Sequence, residues 1–274
     1  MMSVHTWRIR WLFGRMVDLR FHRKIRETIR NPFAYYCALF VKFFPNLHNS
    51  PIKIELKDGK VLFVRSWATG FIFSEIFIDG VYDVLSDIPN QIIDIGANTG
   101  LFILRAKQLW PDASILAFEP EPNNYQALTE TIRVNGLTNV EAINAAVADN
   151  EGSIKLFLHP RNIGGHSTLQ HHSAASIVVK SYRLDKIINS LPYHKCDLLK
   201  VDCEGGELAI FQSLDSETAK SIGTIVYEPE GSVYDVPTMN ERIVSLGFAI
   251  SSRGNCFVAA RLAGGSLKSL GQEH

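Results

Sequence analysis

The sequence predicts an α/β fold, a doubly wound parallel sheet flanked by helices, and three observations predict it. Ile92-Ile93-Asp94-Ile95 is an apolar run of strand length that stops at Gly96-Ala97-Asn98-Thr99-Gly100 and gives way to helical periodicity, the order strand, ligand loop, helix. From 91 to 147 the pattern then alternates strand, helix, strand, helix, strand with short links, which is how a parallel sheet with crossover helices reads. Finally, acidic residues sit at the ends of the apolar runs: Asp94 in the first, Glu119 after the second, and Asp202 after the run at 197 to 201. Ligands of doubly wound sheets bind outside those carboxyl ends.

The elements follow in order. Residues 4 to 30 interleave Trp7, Trp11, Leu12, Phe13, Phe21, Ile25 and Ile29 with arginines, and helix is expected there. Asn31-Pro32 reads as an N-cap with proline at the first helical position, opening a second short helix that ends near Pro45. Ile52, Ile54 and Leu56 alternate with charged residues up to Asp58-Gly59, and Val61, Phe63 and Arg65 follow, the pattern and turn of a β-hairpin. The aromatic stretch 70 to 88 is expected to be mostly helical and to roof the loop after Asp94, with Glu75 or Tyr82 towards a ligand.

Helices are expected at 101 to 109 and 123 to 134, the second stopping at Asn135-Gly136. Strands are expected at 114 to 118, 140 to 147 and 153 to 158. A long polar loop at 159 to 176 carries His159, His166, His171 and His172. Tyr182-Arg183-Leu184-Asp185 reads as the start of a further helix. A final helix ends at Gly247, and 248 to 251 with 256 to 261 form a hairpin across Gly254-Asn255. The expected organisation is a basic aromatic helical arm (1–50), a hairpin and helix leading inward (51–90), the main domain (91–262) and a disordered tail (263–274).

A chain of 274 residues with 46% hydrophobic and 20% charged residues has the composition of a globular protein with a sizeable core. Its zero formal net charge is unevenly placed: residues 1 to 44 hold nine arginines and lysines against Asp18 and Glu27. That asymmetry suggests a separate partner for the arm; a helix docked on the main domain is the first expectation and a peripheral membrane contact through residues 1–44 the second, nucleic acid being disfavoured. Cys37, Cys196, Cys203 and Cys256 are scattered, without C-x-x-C spacing, so reduced thiols are expected rather than a disulfide frame or a zinc site. Arginines interrupt the first twenty residues before an apolar core of a signal peptide can form, and a cytoplasmic location is expected, with the inner face of the membrane as the alternative.

The loop after Asp94 narrows the ligand. A dinucleotide site calls for G-x-G-x-x-G, whose middle glycine lets pyrophosphate approach the backbone. Asn98 stands in that place, so the loop suits a ligand without pyrophosphate. Glu119, 19 residues after Gly100, stands where a carboxylate accepts both hydroxyls of a ribose. A ribose without phosphate points to S-adenosylmethionine. A nicotinamide reductase and a non-catalytic adenosyl- or nucleotide-binding module are the competing readings.

Three blocks, Ile93-Asp94-Ile95-Gly96-Ala97-Asn98-Thr99-Gly100, Phe118-Glu119-Pro120 and Lys200-Val201-Asp202-Cys203-Glu204-Gly205-Gly206-Glu207, occur in order with Gly164-Gly165-His166-Ser167-Thr168-Leu169 between the last two. Over about 91 to 229 the chain thereby resembles the FkbM-type S-adenosylmethionine-dependent methyltransferases. The resemblance implies a class I methyltransferase Rossmann-like sheet with an antiparallel last strand, and O-methylation of a small-molecule or glycan acceptor. It places Asp94, Gly96, Ala97, Asn98 and Gly100 at the methionine end of the cofactor, Glu119 on the ribose, and Ala146 and Val147, ending the third strand, beside the adenine. Cys203 stands where the family often has an apolar residue, and Gly206 where it often has alanine.

The third block also carries chemistry of its own. An aliphatic hydroxyl attacking a methyl group must lose its proton, and a carboxylate or histidine within hydrogen-bond reach is the natural base. Asp202, Glu204 and His166 are the candidates; Asp202 and Glu204, two apart in an extended segment, are expected on the same side. Glu207 would lie in the first turn of the next helix, where negative charge is favoured. No metal is expected, although Glu228 could join a carboxylate cluster.

Overall fold

The computed structural model describes residues 11, 14–43, 50–83, 88–158, 175–253 and 256–261. The chain divides into two units, Met1–Gly80 and Val81–His274.

In the first unit, helix α1 (Leu19–Thr28) starts at Asp18, whose carboxylate accepts from the backbone of Arg20 at 2.9 Å and Phe21 at 3.3 Å. Its inward face is Phe21 and Ile25. Helix α2 (Pro32–Phe43) follows at once. Asn31 does not cap it as expected: its side chain accepts from Glu55 N at 2.8 Å and donates to Lys53 O at 3.3 Å, so it ties the helix junction to a strand. That strand, β1 (Ile52–Glu55), pairs antiparallel with β2 (Val61–Val64) and buries Ile54, Leu62 and Val64. The turn at Gly59 has φ +88°. Helix α3 (Trp67–Phe73), capped by Ser66, runs into one π-helical turn, Ser74–Asp79, and ends at left-handed Gly80. Among the described residues of 70 to 88, the helical expectation therefore holds to Asp79.

In the second unit the elements are β3 (Gln91–Ile95), α4 (Leu101–Leu109), β4 (Ser114–Phe118), α5 (Pro122–Val134), β5 (Val140–Ile143), β6 (Ala146–Ala148), β7 (Gly152–Phe157), β8 (Ser176–Arg183), α6 (Leu184–Ser190), β9 (Cys196–Val201), α7 (Glu207–Ser213), α8 (Ser216–Ala219), β10 (Ile222–Tyr227), α9 (Val236–Ser245), β11 (Phe248–Arg253) and β12 (Cys256–Arg261). Seven strands form one sheet in the order β11-β12-β10-β9-β3-β4-β5. Only β12 runs antiparallel to its neighbours. This is the class I methyltransferase arrangement, with the chain reversing its winding direction between β3 and β9, where doubly wound sheets open a ligand crevice. Ile92, Ile93 and Ile95 are at most 1% exposed, as a strand covered on both faces requires.

Two expectations are corrected. The stretch 140 to 147 is not one strand. After Ile143 the backbone folds back, Ala145 N donating to Ile143 O at 3.0 Å, while the Asn144 amide donates to Glu119 O at 2.8 Å and Pro120 O at 3.1 Å. Ala146 and Val147 therefore belong to β6, in a separate sheet of order β6-β8-β7. In the same sheet, Tyr182 and Arg183 end β8, so the expected helix opens two residues later, at Leu184 with Arg183 as its N-cap, and runs to Ser190; Arg183 holds the strand end by donating to Asp149 O and Asp185. No described helix is long and apolar enough to cross a membrane.

Candidate active site

The site grows from the adjacency of β3 and β9. Their register sets Asp94 directly beside Lys200. A lysine and an aspartate in apolar strands must satisfy each other or lose several kcal/mol to desolvation. Lys200, 3% exposed, sends its Nζ to within 3.0 Å of Asp94 Oδ1 and 3.5 Å of Asp202 Oδ2, and donates to Gly96 O at 3.0 Å. One ammonium thus joins the strand carboxylate, the glycine loop and the carboxylate that follows β9. Burial alone would lower the lysine's pKa; Asp94 and Asp202 overcome that and hold it above its ordinary value. Burial raises the Asp94 carboxyl, and Lys200 offsets part of the rise.

The loop itself is held by backbone geometry. Gly96 N and Ala97 N both donate to Phe118 O at 3.0 Å. Gly96 has φ +77°, and a Cβ there would stand 1.8 Å from Asp202 O, so only glycine lets the two chain ends approach. Asn98, also left-handed at φ +50°, caps its own turn by accepting from Thr99 N at 2.7 Å. Gly100 at φ +85° begins α4 against Leu128.

Glu119 lies across the loop. Its two oxygens accept from Asn98 N at 2.8 Å and Glu121 N at 2.9 Å. Burial pushes its carboxyl up to about 7 against the opposing pull of those amides and of the Asn124 side chain.

After β9 the chain does not stay extended. Glu204 has φ +57° and Gly205 φ +114°, so Asp202 and Glu204 are not simple same-side neighbours on a strand. Asp202 points to Lys200 and to Tyr82, whose hydroxyl donates to Oδ2 at 3.4 Å. Glu204 lies among acids: burial first, then Asp202, Glu230 and Glu228, raise it to about 9. Glu228, after β10, is raised to about 8 by burial and Asp202, with Lys200 pulling the other way. Glu207 is fully buried and closes the turn, accepting from Cys203 N at 2.8 Å, Gly205 N at 2.9 Å and the Tyr234 hydroxyl at 3.0 Å. It caps the turn and the start of α7.

The structure thus gathers Asp94, Gly96, Ala97, Asn98, Gly100, Glu119, Asp202 and Glu204 at one edge of the sheet. It does not bring Ala146 and Val147 there as strand ends; both are 4% exposed on β6 and packed into core. His166 lies outside the described residues. Among the described residues, no three His, Cys, Asp or Glu side chains gather as a metal site. Two participants were given no role by sequence reasoning. Lys200 is signalled by a lysine inside an apolar strand run, a residue type almost never buried unless paired. Asn144, which holds the backbone after Glu119, carries no sequence signal beyond its position.

The donor set fits an amino-acid-bearing nucleoside. Lys200 Nζ lies 3.0 Å from Asp94 Oδ1, while among the described residues Asp94 Oδ2 has no hydrogen-bond partner. That oxygen is a spare acceptor beneath the loop.

Fold and site together define a class I methyltransferase. The family model described as the Methyltransferase FkbM domain matches residues 94–249. The chain is 31% identical over 225 residues to "Methyltransferase 1" of Beauveria bassiana, covering 73% of this chain and 90% of that protein. It is 30% identical over 220 residues to "Methyltransferase sdnD" of Sordaria araneosa, covering 67% and 84%, and 26% identical over 141 residues to "Hexuronic acid methyltransferase AglP" of Haloferax volcanii, covering 51% and 56%. The chain belongs to the FkbM methyltransferase family and is an S-adenosylmethionine-dependent methyltransferase.

Proposed function

We propose that the protein methylates a hydroxyl oxygen on a sugar, glycan or secondary-metabolite acceptor, with Asp202 as the base. The observation that carries this is the Asp94–Lys200–Asp202 chain, which sets one carboxylate against the glycine loop and a second at its rim. The backbone of Gly96, Ala97, Asn98 and Gly100 forms the methionine end of the cofactor site, and Asp94 supplies negative charge beneath it. Glu119 takes the ribose hydroxyls. The bound cofactor supplies a methyl group on a sulfonium, open to in-line attack by the acceptor oxygen.

Asp202 accepts the acceptor's proton as the oxygen–methyl bond forms and the carbon–sulfur bond breaks. Lys200 and the Tyr82 hydroxyl hold that carboxylate in place. Glu204 and Glu228 keep their protons near neutral pH, with values of about 9 and 8, and are therefore weaker candidates for the base. The likeness to a hexuronic acid methyltransferase supports a sugar-type acceptor.

The test is a methylation assay over a panel of glycans and hydroxylated metabolites, with calorimetry against S-adenosylhomocysteine and NAD. Asp202→Asn is expected to lower turnover at least about a hundredfold while leaving S-adenosylhomocysteine affinity nearly unchanged. Retained turnover removes Asp202 from the role, and methylation only of amines overturns the choice of oxygen.

A further inference from the structure

Among its described residues, the first unit presents a face that their packing leaves exposed. Helix α1 turns Phe21 and Ile25 inward, which leaves Leu19, Arg23 and Arg26 on the opposite side, with Arg20 and Glu27 flanking them. Leu19 is 81% exposed, and Met16 and Val17 just before it are 60% and 78% exposed. Helix α2 is apolar nearly all round, Lys42 being the single charge in residues 32–43. A helix of that composition is normally covered on every side. Tyr35, Ala38 and Leu39 face inward, yet Phe33 on the outer side is 79% exposed.

The two outer sides adjoin. His22 Nδ1 lies 2.6 Å from the Tyr36 hydroxyl, and His22 Nε2 lies 2.8 Å from Met16 O. Because α1 and α2 run as consecutive helices joined at residues 29–31, Arg26 and Phe33 lie on one side of the His22–Tyr36 contact, and Leu19 with Met16 on the other. Five of the ten exposed large hydrophobics among the described residues fall within 16–40, which makes this a patch rather than scatter.

Charge decides what covers it. Residues 14–43 carry Arg15, Arg20, Arg23, Lys24, Arg26, Arg30 and Lys42 against two acids, and both acids are engaged: Asp18 caps α1, and Glu27 pairs with Arg23 at 2.9 Å. A second copy would set this positive face against itself. Of the four apolar positions only Phe33 offers a ring, and Met16, Val17 and Leu19 are aliphatic, so the face is not the row of aromatic platforms on which nucleic-acid bases stack. We infer that the face formed by Met16, Val17, Leu19 and Phe33, rimmed by Arg20, Arg23 and Arg26, docks on an anionic lipid bilayer. The apolar side chains enter the acyl boundary, and the arginines lay their stems along it with the guanidinium groups at the lipid phosphates.

The experiment is co-sedimentation of the full chain with vesicles of phosphatidylcholine alone and of phosphatidylcholine with about a third phosphatidylserine. Binding is expected only to the phosphatidylserine vesicles and is expected to weaken as salt is raised. Leu19→Ser with Phe33→Ser, and separately Arg20→Gln with Arg26→Gln, should each weaken it at least about tenfold. All four positions are exposed, so S-adenosylhomocysteine binding serves as the folding control and should not move. Equal binding to both vesicle types, no binding to either, or unchanged binding by both double variants overturns the inference. So does sedimentation-velocity evidence of a dimer, or RNA binding, that the same variants abolish.

Discussion

Replacing Lys200 by methionine is the most direct probe of how this site is built. Methionine matches the stem's volume and removes only the ammonium. Asp94, fully buried, would lose the ammonium that stands 3.0 Å from its Oδ1. Removing one partner of a buried pair in this way costs about 3–5 kcal/mol. The cost depends on pH, and its sign follows from Asp94. Its folded pKa already lies above its unfolded value because of burial, with Lys200 offsetting the rise. Without the lysine it rises further. A carboxyl with a raised folded pKa binds more protons folded than unfolded, so its penalty is absent at acid pH and grows as pH climbs. Urea denaturation at pH 8 should therefore show the full loss for Lys200→Met, and the gap to the unaltered protein should narrow at pH 5. Adding Asp94→Asn should recover most of the loss, since removing both charges of a buried pair is often nearly neutral. A loss under about 1 kcal/mol at pH 8, or a double variant no more stable than the single one, would refute the assignment of Lys200 as the partner of Asp94.

Other outcomes follow from the same geometry. Glu119, raised to about 7, should hold ribose hydroxyls best when ionised, so calorimetric affinity for S-adenosylhomocysteine should be flat above pH 8 and fall up to about tenfold per unit well below 7; a flat profile down to pH 5.5 removes Glu119 from that role. Gly96→Ala combines a left-handed φ with a Cβ 1.8 Å from Asp202 O and should cost at least about 2–3 kcal/mol in thermal melts together with cofactor binding, whereas Gly59→Ala, left-handed but with nothing within 4 Å of its Cβ, should cost only about 1 kcal/mol. Glu204→Gln, which mimics a carboxyl that keeps its proton up to about 9, should retain turnover within about threefold at pH 7.5, and a hundredfold loss would make Glu204 the base instead.

Much of this arrangement is legible in the chain because single residues force it. Gly96 and Gly100 mark the two left-handed turns of the loop, and the isoleucines around Asp94 require a strand covered on both faces. Asn135-Gly136 and Asp58-Gly59 stop and turn the backbone where local chemistry alone demands it. What stayed hidden depends on partners distant in sequence. Nothing near Asn144 announces that its amide will bond the carbonyls of Glu119 and Pro120 and split one apparent strand into β5 and β6. Asn31 has the local features of a helix cap, yet a strand two dozen residues later claims its side chain. Glu204 reads as extended because only the packing of Gly96 under Asp202 O reveals how sharply the chain must turn there.

The crowding of acids after β9 and β10 then finds a physical reason. Asp202 stands close enough to raise Glu204, Glu207 and Glu228, each already raised by burial, so ionising all of these neighbours together in one crevice would be costly. The structure deals with each differently. Glu207 is satisfied by two backbone amides and the Tyr234 hydroxyl. Glu204 and Glu228 keep their protons. Asp202 is the one given a cation, and that cation is the lysine that also holds Asp94 and the Gly96 carbonyl. The lysine thereby holds the carboxylate nearest the loop, while the protonated neighbours offer O–H donors to a ligand's oxygens. Such a division suits the hydroxyl-bearing acceptor proposed above, and it ties the proposed base to the glycine loop through a single side chain.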